Sequence, residues 1–116
     1  GLRIAMENAH RDNGCLWVQP GGHNSPLREI YEVAPGQASG ELKTLDDTPW
    51  PSMDEAVALE VPAGSVIVFN DHLPHYSSHN HSAQSRQALT LHVSDISANW
   101  SAKNWLQRPN LGYFRL

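Results

Sequence analysis

Residues 86–93, Arg-Gln-Ala-Leu-Thr-Leu-His-Val, alternate their side chains with a period of two. In an extended strand Arg86, Ala88, Thr90 and His92 share one face, and Gln87, Leu89, Leu91 and Val93 share the other. A helix, with its 3.6-residue repeat, would scatter both sets around its circumference. The same period places Leu2, Ile4 and Met6 on one side of a strand over Leu2–Met6, and Val57, Leu59 and Val61 on one side of a strand over Val57–Val61. Cys15-Leu16-Trp17-Val18 is a further strand, with Leu16–Val18 at its centre. It is bounded by Asn13-Gly14 and Pro20-Gly21-Gly22, both turn signals. Eight Gly and eight Pro interrupt such short apolar runs throughout, which favours an all-β architecture.

The remaining segments are less regular. Ser65-Val66-Ile67-Val68-Phe69 is a continuous apolar run of strand length, expected to be buried on both faces. Asn70 to Pro74 is a loop, and Tyr76-Ser77-Ser78 begins another strand. Ser52-Met53-Asp54-Glu55 fits a helix capping box, but the period of two that follows favours a strand. His23 to Pro51 reads as a long excursion with one short strand near Glu29–Val33. Loops of that length are commonly active-site covers or disordered segments. The apolar face carrying Leu89, Leu91 and Val93 needs a covering layer.

At 116 residues the chain is expected to form a single domain, residues 1–116. With 40% hydrophobic and 17% charged residues it reads as globular. A net charge of −4 and a pI near 5.9 argue against a nucleic-acid or anionic-membrane partner. No apolar stretch approaches the ~20 residues that span a bilayer, and no secretory signal is evident, so the expected location is cytoplasmic. Cys15 is the only cysteine, so no intrachain disulfide can form. Gly1 opens inside a strand-like pattern, which suggests a chain cut from something longer.

Four of the seven histidines crowd into His72, His75, His79 and His81. Taken singly, each is a solvated loop residue. A structural zinc site fails on chemistry, because cysteine is absent nearby and His-x-x-His falls short of four ligands. His75 stands apart. Ser77 shares its face of an extended strand, and Arg86 follows at adjacent-strand range. Imidazole binds first-row metals, and arginine is shaped to hold a carboxylate by two parallel hydrogen bonds. That combination suits an iron enzyme with a keto-diacid co-substrate. His10-Arg11-Asp12 is literally His-x-Asp, a metal-ligand pattern, but it stands in the turn before Asn13-Gly14 and is read as an exposed decoy.

Five segments resemble the phytanoyl-CoA dioxygenase family, most closely its domain-containing branch: residues 13–23 (Asn-Gly-Cys-Leu-Trp-Val-Gln-Pro-Gly-Gly-His), 61–65 (Val-Pro-Ala-Gly-Ser), 75–80 (His-Tyr-Ser-Ser-His-Asn), 85–92 (Ser-Arg-Gln-Ala-Leu-Thr-Leu-His) and 104–107 (Asn-Trp-Leu-Gln). The resemblance covers nearly the whole chain outside the His23–Pro51 excursion. It implies a double-stranded β-helix (jelly roll, cupin-like), of which this chain would be the C-terminal part of the barrel. It also implies Fe(II), 2-oxoglutarate and O2, used to hydroxylate a C–H bond of a small-molecule substrate.

Under the resemblance His75 is the distal metal ligand, and Ser77 and Arg86 hold the 2-oxoglutarate carboxylate. Asn80 and His23 shape the site. Trp17 is read as core or pocket wall, and Cys15 as a small buried hydrophobe. The family's own His-x-Asp pair would fall before Gly1, so the chain alone is expected to be inactive. Two other readings stay open: a cupin-like metal protein that does not use 2-oxoglutarate, and a non-catalytic jelly-roll module or inactive fragment.

Overall fold

The computed structural model describes residues 1–107. They contain eight β-strands, two single turns of 3-10 helix and no α-helix. The strands are β1 (Leu2–Ala5), β2 (Leu16–Val18), β3 (Glu29–Glu32), β4 (Glu41–Thr44), β5 (Val57–Leu59), β6 (Val66–Val68), β7 (His75–Ser77) and β8 (Ala88–Leu91). Every pairing is antiparallel. The described residues gather into two compact units, 1–25 with 49–94, and 26–48 with 95–107. No helix among them is long and apolar enough to cross a membrane.

The first unit holds two three-stranded sheets, ordered β6-β1-β8 and β5-β2-β7. From β5 onward the chain passes from one sheet to the other at every step. Their inner faces meet: Arg3, Ala5, Ile67 and Ala88 from the first sheet and Leu16 and Leu59 from the second line one small cavity of about 10 Å³. The ring of Phe69, just past β6, lies 4.8 Å from the ring of His75 on β7. Ala5, Ala9, Cys15 and Leu16 are the most buried apolar residues, Cys15 completely so.

The period of two is what allows this packing, and it also corrects one expectation. Leu2 lies opposite Val68 and Leu91, and Ile4 opposite Val66 and Leu89, so these six side chains share the outer face of the first sheet. The run Ser65–Phe69 is therefore not buried on both sides. Ile67 turns inward and is half-buried, while Val66 is 53% and Val68 71% exposed. An apolar residue is buried only where another layer covers it, and composition alone cannot report the layer. Leu89, Leu91 and Val93 are likewise exposed.

Strand ends are shorter than the alternation suggested. Regular pairing stops at Leu59, and Val61 makes a single bridge to Ala9. β8 covers only the centre of residues 86–93. The capping pattern at Ser52 closes one 3-10 turn, Met53–Glu55, with the Asp54 amide donating to the Ser52 hydroxyl, before β5 begins.

The turn before β2 is fixed by Asn13, whose buried side chain accepts from the His10 amide and donates to the Asn8 carbonyl. Gly14 adopts φ +81°, and a Cβ there would lie 2.7 Å from the Ser78 carbonyl oxygen. Glycine is thus required twice over, by conformation and by close approach.

The second unit contains the β3–β4 hairpin. Sequence reading expected β3 but not β4, because Glu41-Leu42-Lys43-Thr44 is exposed at all four positions and leaves no burial signal. Arg28 is buried and holds the base of this hairpin. Its Nε donates to the Thr48 carbonyl and its Nη1 to the Pro26 carbonyl. Lys103 ties residues 95–107 to β3 through Glu32 at 3.3 Å, and its carbonyl accepts from the Val33 amide at 2.9 Å.

Candidate active site

β7 is three residues long and sets the site's geometry. His75 and Ser77 stand opposite Val18 and Leu16, so both face the first sheet, while Tyr76 faces away with Trp17. The Nδ1 atom of His75 lies 2.7 Å from the Leu73 carbonyl oxygen. A carbonyl can only accept, so Nδ1 carries a proton, and in the neutral ring the lone pair is on Nε2. Such backbone contacts orient metal-binding imidazoles.

Arg86 precedes β8 and reaches across to the other sheet. Its Nη2 donates to the Ser77 hydroxyl at 3.0 Å. Its Nε is buried and has no hydrogen-bond partner among the described residues. An unpaired buried donor is costly, and it marks a position where an acceptor would be welcome.

Two residues that sequence reading passed over stand near this arginine, one bracing it and the other opposing it. Glu7, just past β1, accepts from the Ser85 hydroxyl at 2.7 Å and from the Gln87 amide at 2.8 Å, one bond to each carboxylate oxygen. The carboxylate thus pins the residues on either side of Arg86 and sends its side chain inward. The Ser85 bond first, then the Gln87 bond, holds the Glu7 carboxyl below the usual carboxylate range. Arg3 on β1 lines the same cavity as Arg86. Burial, with the like charge of Arg86, lowers its guanidinium from its ordinary value. Neither residue carries a local signal. Each becomes visible only when β1 is known to lie beside β8.

The other candidates are not drawn into this cluster. Trp17 lies on the opposite face of its sheet, stacked on Tyr76 with centroids 5.9 Å apart and with the Arg11 guanidinium 5.3 Å from its ring centroid. His23 is exposed in the 3-10 turn Gly22–Asn24. Asn80 closes its own loop: its Oδ1 accepts from the Ser82 amide and hydroxyl, and its Nδ2 donates to the Gln84 carbonyl. It shapes the path toward Arg86 rather than the cavity. His72, His79 and His81 are exposed, as are His75 and Ser77; what sets His75 apart is its place on β7, on the same face as Ser77. His10 and Asp12 are exposed as well, and among the described residues no three His, Cys, Asp or Glu side chains converge as a metal site. The His-x-Asp triplet therefore does not join His75. Burial, with a smaller contribution from Glu60, pushes the Cys15 thiol up, as suits an inert packed cysteine.

Fold and site together define an antiparallel β-protein whose facing sheets present a lone-pair imidazole nitrogen, a hydroxyl and a guanidinium. These are donor types that suit a metal ion and a carboxylate. The family model for phytanoyl-CoA dioxygenase (PhyH) matches residues 1–88. The chain is 42% identical over 111 residues to phytanoyl-CoA dioxygenase 1 of Oryza sativa subsp. japonica, covering 93% of this chain and 37% of that protein. It is 37% identical over 108 residues to phytanoyl-CoA dioxygenase domain-containing protein 1 of Mus musculus, covering 92% and 37% respectively. To phytanoyl-CoA dioxygenase of Arabidopsis thaliana it is 36% identical over 114 residues, covering 96% and 38%. The chain belongs to the phytanoyl-CoA dioxygenase family, and it spans little more than a third of the length of these relatives.

Proposed function

We propose that the protein carrying this chain is an Fe(II)- and 2-oxoglutarate-dependent dioxygenase that hydroxylates a C–H bond of a small molecule. In this reading residues 1–116 are the C-terminal part of a single double-stranded β-helix domain. The observation that carries it is the triad of types on the facing sheets: His75 with Nε2 available, and Ser77 hydrogen-bonded to Arg86. His75 would supply one metal ligand. The other two ligands of a 2-His-1-carboxylate triad would come from outside the described residues, since none of these converge on His75. Ser77 and Arg86 would hold the far carboxylate of 2-oxoglutarate, with the unpaired Arg86 Nε as a further donor.

When bound, the iron and keto-acid would supply the oxidising chemistry, and the protein would supply orientation. Arg86 would hold the far carboxylate and so orient the co-substrate. Glu7 fixes Arg86, and the facing sheets shield the buried part of the guanidinium from water. Asn80 and His23 would define loop surfaces around the opening.

The test is separate anaerobic titration of Fe(II) and 2-oxoglutarate into the full-length protein, following the metal-to-ligand absorption band. His75→Ala should lose iron and with it the band. Arg86→Lys keeps the charge but not the two-pronged geometry. It should keep the metal and lose about 2–4 kcal/mol of co-substrate binding, roughly 30- to 1000-fold. Normal 2-oxoglutarate binding by Arg86→Lys, or iron loss in His81→Ala rather than His75→Ala, would overturn the assignment. Iron binding with no 2-oxoglutarate binding in the parent would favour a cupin-like protein that does not use the keto-acid.

A further inference from the structure

We infer that Phe69 is a positioning residue for His75: its ring reaches from the first sheet to the second and holds the imidazole in the orientation that gives Nδ1 to the Leu73 carbonyl and leaves Nε2 for a metal ion. The inference deepens the proposed function and rests on its assignment of His75 as a metal ligand.

The alternation that turns Ile67 inward turns Phe69 inward as well. The ladder beside β1 continues that far, because the Phe69 amide donates to the Gly1 carbonyl at 3.1 Å. On the facing sheet β7 turns His75 toward it. The two ring centroids lie 4.8 Å apart and the ring planes are tilted by 58°. Aromatic pairs hold at about 4.5–7 Å in tilted or offset arrangements. Phe69 is half-buried and His75 is exposed. An exposed imidazole tied at one nitrogen still competes with water for that bond and can swing about its torsions. A second contact, on the ring itself, removes that freedom.

The residues between the two rings are built to present the first contact. The Asn70 carbonyl accepts from the Leu73 amide at 2.9 Å, and the Asn70 Oδ1 accepts from the His72 amide at 2.8 Å. The Pro74 carbonyl accepts from the Gln19 amide at 3.0 Å. The Leu73 carbonyl is thus fixed on both sides, and it lies 2.7 Å from His75 Nδ1. Residues 69–75 carry the chain from one sheet to the other and supply both contacts to the imidazole at their end.

The test has a readout that needs no metal. Full-length protein is labelled with 15N-histidine, and the tautomer of each ring is read from nitrogen–proton correlations at alkaline pH, where imidazoles are neutral. The His75 signals are those lost in His75→Ala. The parent should show His75 with its proton on Nδ1. Phe69→Leu keeps apolar bulk but loses the ring. It should raise the share of the other tautomer and weaken Fe(II) binding about 2- to 12-fold, the range that an aromatic pair contributes. Phe69→Tyr keeps the ring and should return both readouts to the parent values. Ile67→Val, on the same inward face, should lower the melting temperature and leave the His75 tautomer unchanged.

A parent tautomer in Phe69→Leu, whatever its iron affinity, would make Phe69 a framework residue and overturn the inference. So would a tautomer shift in Ile67→Val equal to that in Phe69→Leu, since general loosening of the sheets would then be the cause. Iron binding by His75→Ala at the parent's affinity would remove His75 as a ligand and with it the role of Phe69 toward the metal. A tautomer shift in Phe69→Leu alongside that result would locate the failure in the ligand assignment, not in the ring contact.

Discussion

The two faces of the sheet β6-β1-β8 are inverted relative to a simple water-soluble strand pattern. The inner face carries Arg3, Ala5, Ile67 and Ala88, with Arg86 beside it, and it meets the second sheet. The outer face carries Leu2, Ile4, Val66, Val68, Leu89 and Leu91, and most of that aliphatic surface is open. Burial here follows the position of the opposing sheet, not the hydrophobicity of the face. The enclosed side holds small side chains and the arginine stems, and most of the larger aliphatic groups of this sheet stand on the other side.

Three substitutions sharpen this comparison. The largest effect is expected at Leu16, which is 3% exposed and packs from the second sheet onto the inner face. Leu16→Ala should cost about 2–5 kcal/mol in urea unfolding, the range for a buried leucine. A cost near zero would mean that the sheets do not pack as described.

An intermediate effect is expected at the seam between β1 and the approach to β8, where Glu7 braces Ser85 and Gln87. Its carboxyl is depressed in the folded chain, so the stability it adds is present above the unfolded carboxylate pKa. That contribution is lost as pH falls through the lower folded value. The urea midpoint of the parent should therefore drop in acid, and Glu7→Gln should show a shallower acid dependence. Equal slopes would remove Glu7 as the brace.

The smallest effect is expected on the outer face. Val68→Thr, at a position 71% exposed, should stay within about 0.5 kcal/mol of the parent. A loss as large as that at Leu16 would show that the outer face is covered.

Much of this was legible in the sequence. The alternation at residues 86–93 located β8, and the two-residue spacing of His75 and Ser77 put both on one face. Turn chemistry at Asn13-Gly14 and Pro20-Gly21-Gly22 bounded β2. What stayed hidden depends on long-range pairing. A period of two shows that a strand has two unlike faces but not which one turns inward, so the run Ser65–Phe69 was misread. Glu7 and Arg3 carry no motif, and they matter because β1 lies beside residues some eighty positions later. Arg28 was missed because a buried arginine satisfied by main-chain carbonyls leaves no pattern in its neighbours.

The position of β1 between β6 and β8 has a consequence for the order of assembly. Its residue Leu2 must wait for Val68 and then for Leu91 before either edge is paired. Closing such long loops is slow, because the chain entropy is lost before the new contacts are made. During synthesis β1 therefore emerges well before either of these two partners, with Leu2 and Ile4 on its aliphatic stripe. Unpaired edges recruit other strands, so this is the interval in which misassembly is most expected. The aliphatic stripe of β1 is thus a hazard of the nascent chain before it is a feature of the finished one, and the step that ends the hazard is the arrival of residues 88–91.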